Sequence, residues 1–453
     1  GKNYYDKREV MNVKTEKHLD NIASPANLII NDNINKFIKI CEQGGCYRPY
    51  HHFAFGQSPF PPAPQIIQSL QKNSDKHSYM PTAGIPELRT AVAEFHNRKF
   101  GLAYDAQQVV ISPGSKDIIS IILAVLEGSV IIPTPSWVSY LPQAHILKKE
   151  VLPIRLSRED NYKLTVPLLH NSLKNNEASQ KILIFNQPNN PTGVIYTKDE
   201  LSDIAEFCKK NNIIIISDEI YALTTFVLEN FRSMAEVYPE GTIVTGGLSK
   251  DRSCGGYRLG VGLFPKNSNK LVQNILKIAG STYSCVSAPI QYAALTAYLE
   301  IDEIDNYMET CRTINASVGK AAYKMLNEIP GLEISKPQGG FYVYIDFSNY
   351  SENFKNIGID TCAQFCEDLL AKEHTALLPG ESMLLPEDDF SVRCSFVDYN
   401  GKAVIDEWNN HKPQTDDEIE NFVKNNCPLI FDGIKYLGRY LEQIKQNKLA
   451  IHF

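Results

Sequence analysis

Short apolar runs, most of them β-branched, recur through the middle of the chain, each closed by polar turn residues. Residues 109–111 (VVI), 130–132 (VII), 181–185 (KILIF), 213–216 (IIII) and 243–245 (IVT) are runs of this kind. Such runs read as strands buried on both faces, the state of a parallel sheet. Helical spacing lies between them. Pro86 opens a segment in which Leu88, Val92 and Phe95 share one face, with proline at the start of the helix. An apolar helix is predicted from the turn at Ser115 through Leu126. Further helices are predicted over 34–41, 281–300, 304–329 and 430–449. From Gly331 onward the pattern changes, and 332–334 and 340–345 read as strands of a second region.

The polar residues that close the runs form a series from Asn186 to Gly260. Asn189-Asn190-Pro191-Thr192-Gly193 follows the third run, and Ser217-Asp218-Glu219-Ile220-Tyr221 follows the fourth. Leu248-Ser249-Lys250 follows the fifth, and Gly256-Tyr257-Arg258-Leu259-Gly260 comes next. Each signature therefore sits just past the carboxyl end of a strand, where open α/β sheets bind ligands. Ser112-Pro113-Gly114-Ser115-Lys116 follows the first run and opens a helix. Free N–H groups and the positive dipole end at such a turn suit a phosphate, with Gly114, Ser115 and Lys116 as candidates.

These residue types point to one chemistry. A lysine forms a Schiff base with a carbonyl. A carboxylate keeps a pyridine nitrogen protonated, so that the ring becomes an electron sink. Phenol and amide donors reach a ring hydroxyl, and a guanidinium holds a phosphate by paired hydrogen bonds. An aldehyde cofactor with a pyridine ring and a phosphate uses all of them.

Composition narrows the setting. The 453 residues suffice for two domains, one large and one small. The net charge of −7, without a basic block, argues against a nucleic-acid surface. No run of eighteen apolar residues predicts a membrane span. Residues 1–14 lack the apolar core of a signal peptide. Ten scattered cysteines form no CxxC pair. Cys362 and Cys366 read as buried thiols on one helix rather than metal ligands, and reduced thiols in a cytoplasmic enzyme are expected.

In this order and spacing, the signatures resemble the class I/II aminotransferases, pyridoxal-phosphate enzymes of fold type I. The segment Pro135-Ser136-Trp137-Val138-Ser139-Tyr140 narrows the resemblance to the thermophile-type aspartate aminotransferase subgroup. The resemblance runs, with gaps, from Phe53 to Phe396. It implies that Lys250 carries the cofactor and moves the substrate's α-proton, and that Asp218 pairs with the ring nitrogen. Asn190 and Tyr221 would meet the ring hydroxyl. Gly114, Ser115, Lys116, Ser249 and Arg258 would surround the phosphate, and Trp137 would stack on the ring. Arg393, in Val392-Arg393-Cys394-Ser395-Phe396, matches the arginine that grips the substrate α-carboxylate, with Gly56 beside it. Lys116 has a second implied role, pairing with a substrate side-chain carboxylate. Tyr79, in Tyr79-Met80-Pro81-Thr82-Ala83-Gly84-Ile85-Pro86-Glu87-Leu88-Arg89, would reach the cofactor of a partner subunit, which implies a homodimer.

The implied fold is α/β: a large domain, 73–304, with a mostly parallel seven-stranded sheet, and a small α+β domain from 41–72 and 305–453. Residues 1–40 form an N-terminal arm, and the polar stretch 402–420 reads as an insertion or flexible link. The implied reaction moves an amino group from an amino acid, best matched by aspartate, to a 2-oxo acid, best matched by 2-oxoglutarate, with ping-pong kinetics. An aromatic or alanine-type donor, or β-elimination on the same fold, stays open. The chain departs from the family pattern at Gln57, where an acidic residue is usual, and at Gly247, where many relatives have serine. Asp251, Arg252 and Cys254 are also less usual. Plain structural readings stand beside the functional ones: a turn for Gly56, a buried tyrosine for Tyr79, a solvated lysine for Lys116, a core tryptophan for Trp137 and a surface ion pair for Arg393.

Overall fold

A computed structural model describes residues 11–22, 26–45, 48–174 and 179–450. Strand β1 (His51–His52) comes first. Seven strands then build one sheet: β2 (Val109–Ser112), β3 (Ser129–Thr134), β4 (Val151–Arg155), β5 (Lys181–Asn186), β6 (Ile213–Asp218), β7 (Thr242–Gly247) and β8 (Gly260–Leu263). Their order is β2-β8-β7-β6-β5-β3-β4. Pairing is parallel except at β8, which runs antiparallel to both β2 and β7. Helices cover the faces, so β5 and β7 are buried along their whole length. That burial is why the centre of β5, Ile182 to Phe185, is continuously apolar rather than alternating. Pro153 is tolerated in β4 because β4 is an edge strand.

The register sets up the site. Asn186 at the end of β5 pairs with Asp218 at the end of β6, and Asp218 pairs with Thr245 of β7. The polar signatures therefore emerge side by side from one edge of the sheet.

A second sheet joins β9 (Glu333–Ile334), β10 (Tyr342–Asp346), β12 (Leu378–Pro379) and β13 (Ser391–Ser395), all antiparallel, in the order β12-β13-β10-β9. Strand β11 (Thr375–Ala376) pairs with β1. The long helix Asp302–Asn327 contributes Ile314, Val318 and Leu326 to the core of this region, beside Val343, Ile345 and Val392 of its sheet.

Several expectations need correcting. Residues 402–420 are not a loose link. All but 412–415 fall in the helices Gly401–His411 and Asp416–Asn426, which bury Val404, Ile405, Phe422 and Val423. A capping box starts the second, with Thr415 and Glu418 each satisfying the other's backbone N–H. The helix expected over 281–300 is the shorter Ala288–Tyr298, opened by a proline, and a separate helix, Asn269–Thr282, precedes it, with Ser284 at positive φ between them. Strand β8 (GVGL) was not anticipated. The expectation of reduced thiols fails at Cys41, which is disulfide-bonded, while eight other cysteines, Cys362 and Cys366 among them, are free. Cys46, like residues 1–10 of the arm, lies outside the described residues. Within the arm, the helix Ala26–Ile40 buries Ile34 completely. Among the described residues, no helix is long and apolar enough to cross a membrane.

Candidate active site

A cavity of about 310 Å³ opens at the carboxyl ends of β5, β6 and β7, and β10 and β13 close its other side. Its two ends differ in charge.

The cationic end starts at helix Ser115–Val125. Gly114 is its N-cap, with φ 92°. The positive φ at Gly114 favours glycine, and a side chain there would displace the Arg258 guanidinium. Ser115, Lys116, Ser249 and Arg258 all line this end. Burial, with Arg258 and Lys250 nearby, holds the Lys116 ammonium below its usual pKa. Lys116 Nζ stands 5.3 Å from the centroid of a Trp137 ring. Trp137 in turn meets Tyr140 edge-on at 5.1 Å.

The opposite end holds one carboxylate. Asp218 Oδ2 accepts from the Tyr140 hydroxyl at 2.5 Å, and Oδ1 accepts from the Ile220 N–H at 3.3 Å. Burial raises the Asp218 pKa, against the pull of Tyr140, Ile220 and Lys250. Glu219 turns the other way, as its position at a strand end predicts. Its Oε2 accepts from Ser217, Ser233 and the Met234 N–H at 2.7, 3.0 and 3.2 Å.

Lys250 lies between the ends. Its Nζ donates to the Gly56 carbonyl at 2.6 Å and sits 5.6 Å from the Tyr221 ring centroid. Burial lowers its pKa, and Arg393 and Arg258 add to this against Tyr342 and Asp218. An amine with a depressed pKa is a usable base near neutral pH.

Arg393 projects from β13 and is 2% exposed. Nη1 donates to Asn190 Oδ1 at 3.2 Å, and Nη2 donates to the Ala54 carbonyl at 2.9 Å. Its Nε is buried and without a partner among the described residues. Buried donors in native proteins are normally paired, so this one suits an incoming anion.

Eleven of the thirteen residues singled out from the sequence meet at this cavity: Gly56, Ser115, Lys116, Trp137, Asn190, Asp218, Tyr221, Ser249, Lys250, Arg258 and Arg393. Gly114 lies just behind the wall as the helix cap. Tyr79 is off the cavity and 92% exposed within the single chain, so it is not the buried structural tyrosine of the alternative reading.

Tyr140, Asn186 and Tyr342 also line the cavity and were missed as site residues. Tyr140 closes the segment Pro135 to Tyr140 that was read for Trp137 and opens the helix Tyr140–Ile146. For Tyr342 there was no comparable signal, because both faces of β10 are buried and the tyrosines on it look alike.

The donor set fits a pyridoxal-phosphate-like group. Hydroxyls, a helix N-terminus and two cations at one end match a phosphate, the carboxylate at the other end matches a ring nitrogen, and the lysine between them matches an aldehyde.

The class I and II aminotransferase family matches residues 50–398. An aspartate aminotransferase of Bacillus sp. (strain YM-2) is 32% identical over 337 residues, 73% of this chain and 82% of that protein. The aspartate aminotransferase of Thermus thermophilus with maleate superposes with a TM-score of 0.75 at 21% identity, over 92% of this chain and all of that one, a likeness of fold. An aromatic aminotransferase from Pyrococcus horikoshii gives a TM-score of 0.73 at 25% identity, over 90% and 99% of the two chains. The family match spans most of the chain and includes every residue that lines the cavity, so this chain is an aminotransferase of class I and II.

Proposed function

We propose that this enzyme takes the amino group of aspartate and delivers it to 2-oxoglutarate in a ping-pong cycle, with pyridoxal phosphate as cofactor. One observation carries the reading: Lys250 sits between a cationic wall and a single buried carboxylate, with a second cation, Arg393, facing it across the cavity. When bound, the cofactor supplies an aldehyde carbon that accepts nitrogen and a ring that withdraws electrons.

The residues divide the remaining work. Ser115, Ser249, Arg258 and the N-terminus capped by Gly114 hold the phosphate. Asp218 keeps the ring nitrogen protonated, and Tyr140 holds that carboxylate from behind. Trp137 covers one ring face, and Asn190 and Tyr221 reach the ring hydroxyl. Arg393 takes the α-carboxylate of the amino acid and, with Gly56 beside it, fixes the Cα–H bond toward Lys250. Lys250, as an amine of depressed pKa, would remove the proton from the substrate's Cα. Lys116, beside Trp137 at the cavity wall, pairs with the side-chain carboxylate of a dicarboxylic substrate. The likeness to an aromatic aminotransferase supports an aromatic donor as the second reading.

The proposal extends to the setting. The exposed Tyr79 serves the cofactor site of a second copy in a homodimer. The domains divide as 73–304, with the seven-stranded sheet, against 41–72 with 305–453, with the two smaller sheets. The compartment is the cytoplasm. Eight free thiols support this, and the Cys41 disulfide weighs against it.

The test is a set of single half-reactions. Holoenzyme is mixed with aspartate, glutamate, phenylalanine or alanine, and the visible band of the cofactor is followed. Fast bleaching by aspartate and glutamate supports the reading. A preference for phenylalanine or alanine transfers the assignment to the second reading. Release of ammonia and pyruvate without any 2-oxo acid acceptor indicates β-elimination instead.

A further inference from the structure

The proposed reaction needs Arg393 and Lys250 at a fixed separation, and one stretch of backbone touches both. The Ala54 carbonyl accepts from Arg393 Nη2 at 2.9 Å, and the Gly56 carbonyl accepts from Lys250 Nζ at 2.6 Å. Bonds of this kind, with a charged donor, are strong and directional. The backbone from Ala54 to Gly56 therefore sets where the carboxylate-binding cation stands relative to the base.

That backbone is tied down on both sides. The Phe53 N–H donates to the Ala376 carbonyl at 2.9 Å, and the Phe53 carbonyl accepts from the Ser395 N–H at 2.8 Å. Ser58 Oγ lies 2.6 Å from Ser253 Oγ, in the turn that follows Lys250. Two helices after β13 seat against the same stretch, each through a glycine. Gly401 opens the helix Gly401–His411, and a Cβ there would overlap the Pro59 carbonyl. Gly433 lies in the helix Pro428–Ala450, and a Cβ there would stand 2.5 Å from a ring carbon of Phe53 and 2.9 Å from His51 Cβ. One turn earlier, the Leu429 carbonyl accepts from His51 Nδ1 at 2.7 Å. Phe53 is completely buried, so its ring has no open space to enter.

We propose that Gly433 is a positioning residue for Arg393: it lets the helix Pro428–Ala450 seat against Phe53, which fixes the Ala54 carbonyl that aims the guanidinium at the substrate carboxylate. This rests on the proposed role of Arg393.

The argument is one of confinement. A methyl group at Gly433 pushes on Phe53, and Ala54 is its neighbour in the chain. The stretch cannot slide along its length to relieve the push, because Gly401 and the Ser58–Ser253 contact hold it at Pro59 and Ser58. The Ala54 carbonyl moves instead, and Arg393 moves with it. The cofactor's phosphate and ring partners stand on other elements, at the ends of β6 and β7 and at the helix capped by Gly114, and stay in place.

The test is maleate binding to holoenzyme by calorimetry, which needs no turnover, beside steady-state kinetics with aspartate. Gly433→Ala should keep the cofactor's visible band and raise the maleate Kd and the aspartate KM roughly 10- to 100-fold, with a smaller change in kcat. Phe53→Leu leaves a gap at the same contact and should also raise the maleate Kd. The double variant, in which the methyl fills that gap, should bind maleate more tightly than either single variant. Alanine is the better helix former, so a loosely packed glycine would gain thermal midpoint on substitution and leave maleate binding unchanged. A tightly packed glycine with no positioning role would lose thermal midpoint and also leave maleate binding unchanged. Either result overturns the proposal. If Gly433→Ala does not fold, Phe53→Leu against the double variant decides: equal or weaker maleate binding by the double variant overturns it. Failure of the underlying reading looks different, because maleate would then bind Arg393→Gln as tightly as wild type.

Discussion

The Tyr140 hydroxyl donates to Asp218 Oδ2 at 2.5 Å, so the carboxylate that faces the cavity is held from behind by a phenol. This bond favours the ionised carboxylate, against the burial that raises the Asp218 pKa. A hydrogen bond to a charged group contributes about 1.5–3 kcal/mol. Tyr140→Phe should therefore lower kcat roughly 10- to 100-fold. It should also move the acid limb of the kcat–pH profile to higher pH, because Asp218 becomes easier to protonate. An unchanged acid limb would separate Asp218 from that limb.

Lys116 divides substrates by charge. Its Nζ lies at the Trp137 wall, and Lys116→Ala removes a cation without touching Lys250 or Arg393. The kcat/KM for aspartate should fall roughly 10- to 100-fold, the range of one charge-assisted hydrogen bond. That for phenylalanine should hold or rise. Equal losses for both substrates would make Lys116 a phosphate-side residue.

Glu219 gives a stability signature separate from catalysis. Burial raises its pKa from 4.5 to about 7, against its bonds from Ser217, Ser233 and Met234. Between these two values the folded protein keeps a proton that the unfolded chain has lost, so stability falls as pH rises through the window. The slope approaches 1.4 kcal/mol per pH unit and sums to about 3 kcal/mol. Glu219→Gln cannot titrate and should flatten the pH dependence of the thermal midpoint between about pH 4.5 and 7. A slope in the variant equal to that of wild type would assign it to another group.

How far the sequence reveals the fold depends on local pattern. Asp218, Asn190 and Lys250 were legible because each follows a short apolar run of a buried strand, and the polar residues that close the run stand out. Strand β8 was hidden because two of its four residues are glycines, which lower strand propensity, and because it is an antiparallel insertion between parallel neighbours. The helices over 402–420 were legible and overlooked, since Thr415 and Glu418 spell a capping box ahead of Phe422 and Val423. Gly56 was read as lying against a substrate carboxylate. In the fold it also makes room for the Tyr342 hydroxyl, a contact between residues 286 positions apart that no local pattern encodes. Nor can one chain place Tyr79, whose proposed work lies across a dimer.

The central claim is that Lys250 carries the cofactor, and covalent trapping tests it most directly. Holoenzyme is reduced with borohydride and digested, and the peptide that carries the cofactor's mass is sequenced. The account predicts a single labelled peptide, modified at Lys250, and no label in Lys250→Ala. A label on another lysine, or a protein that takes up no pyridoxal phosphate, would contradict it.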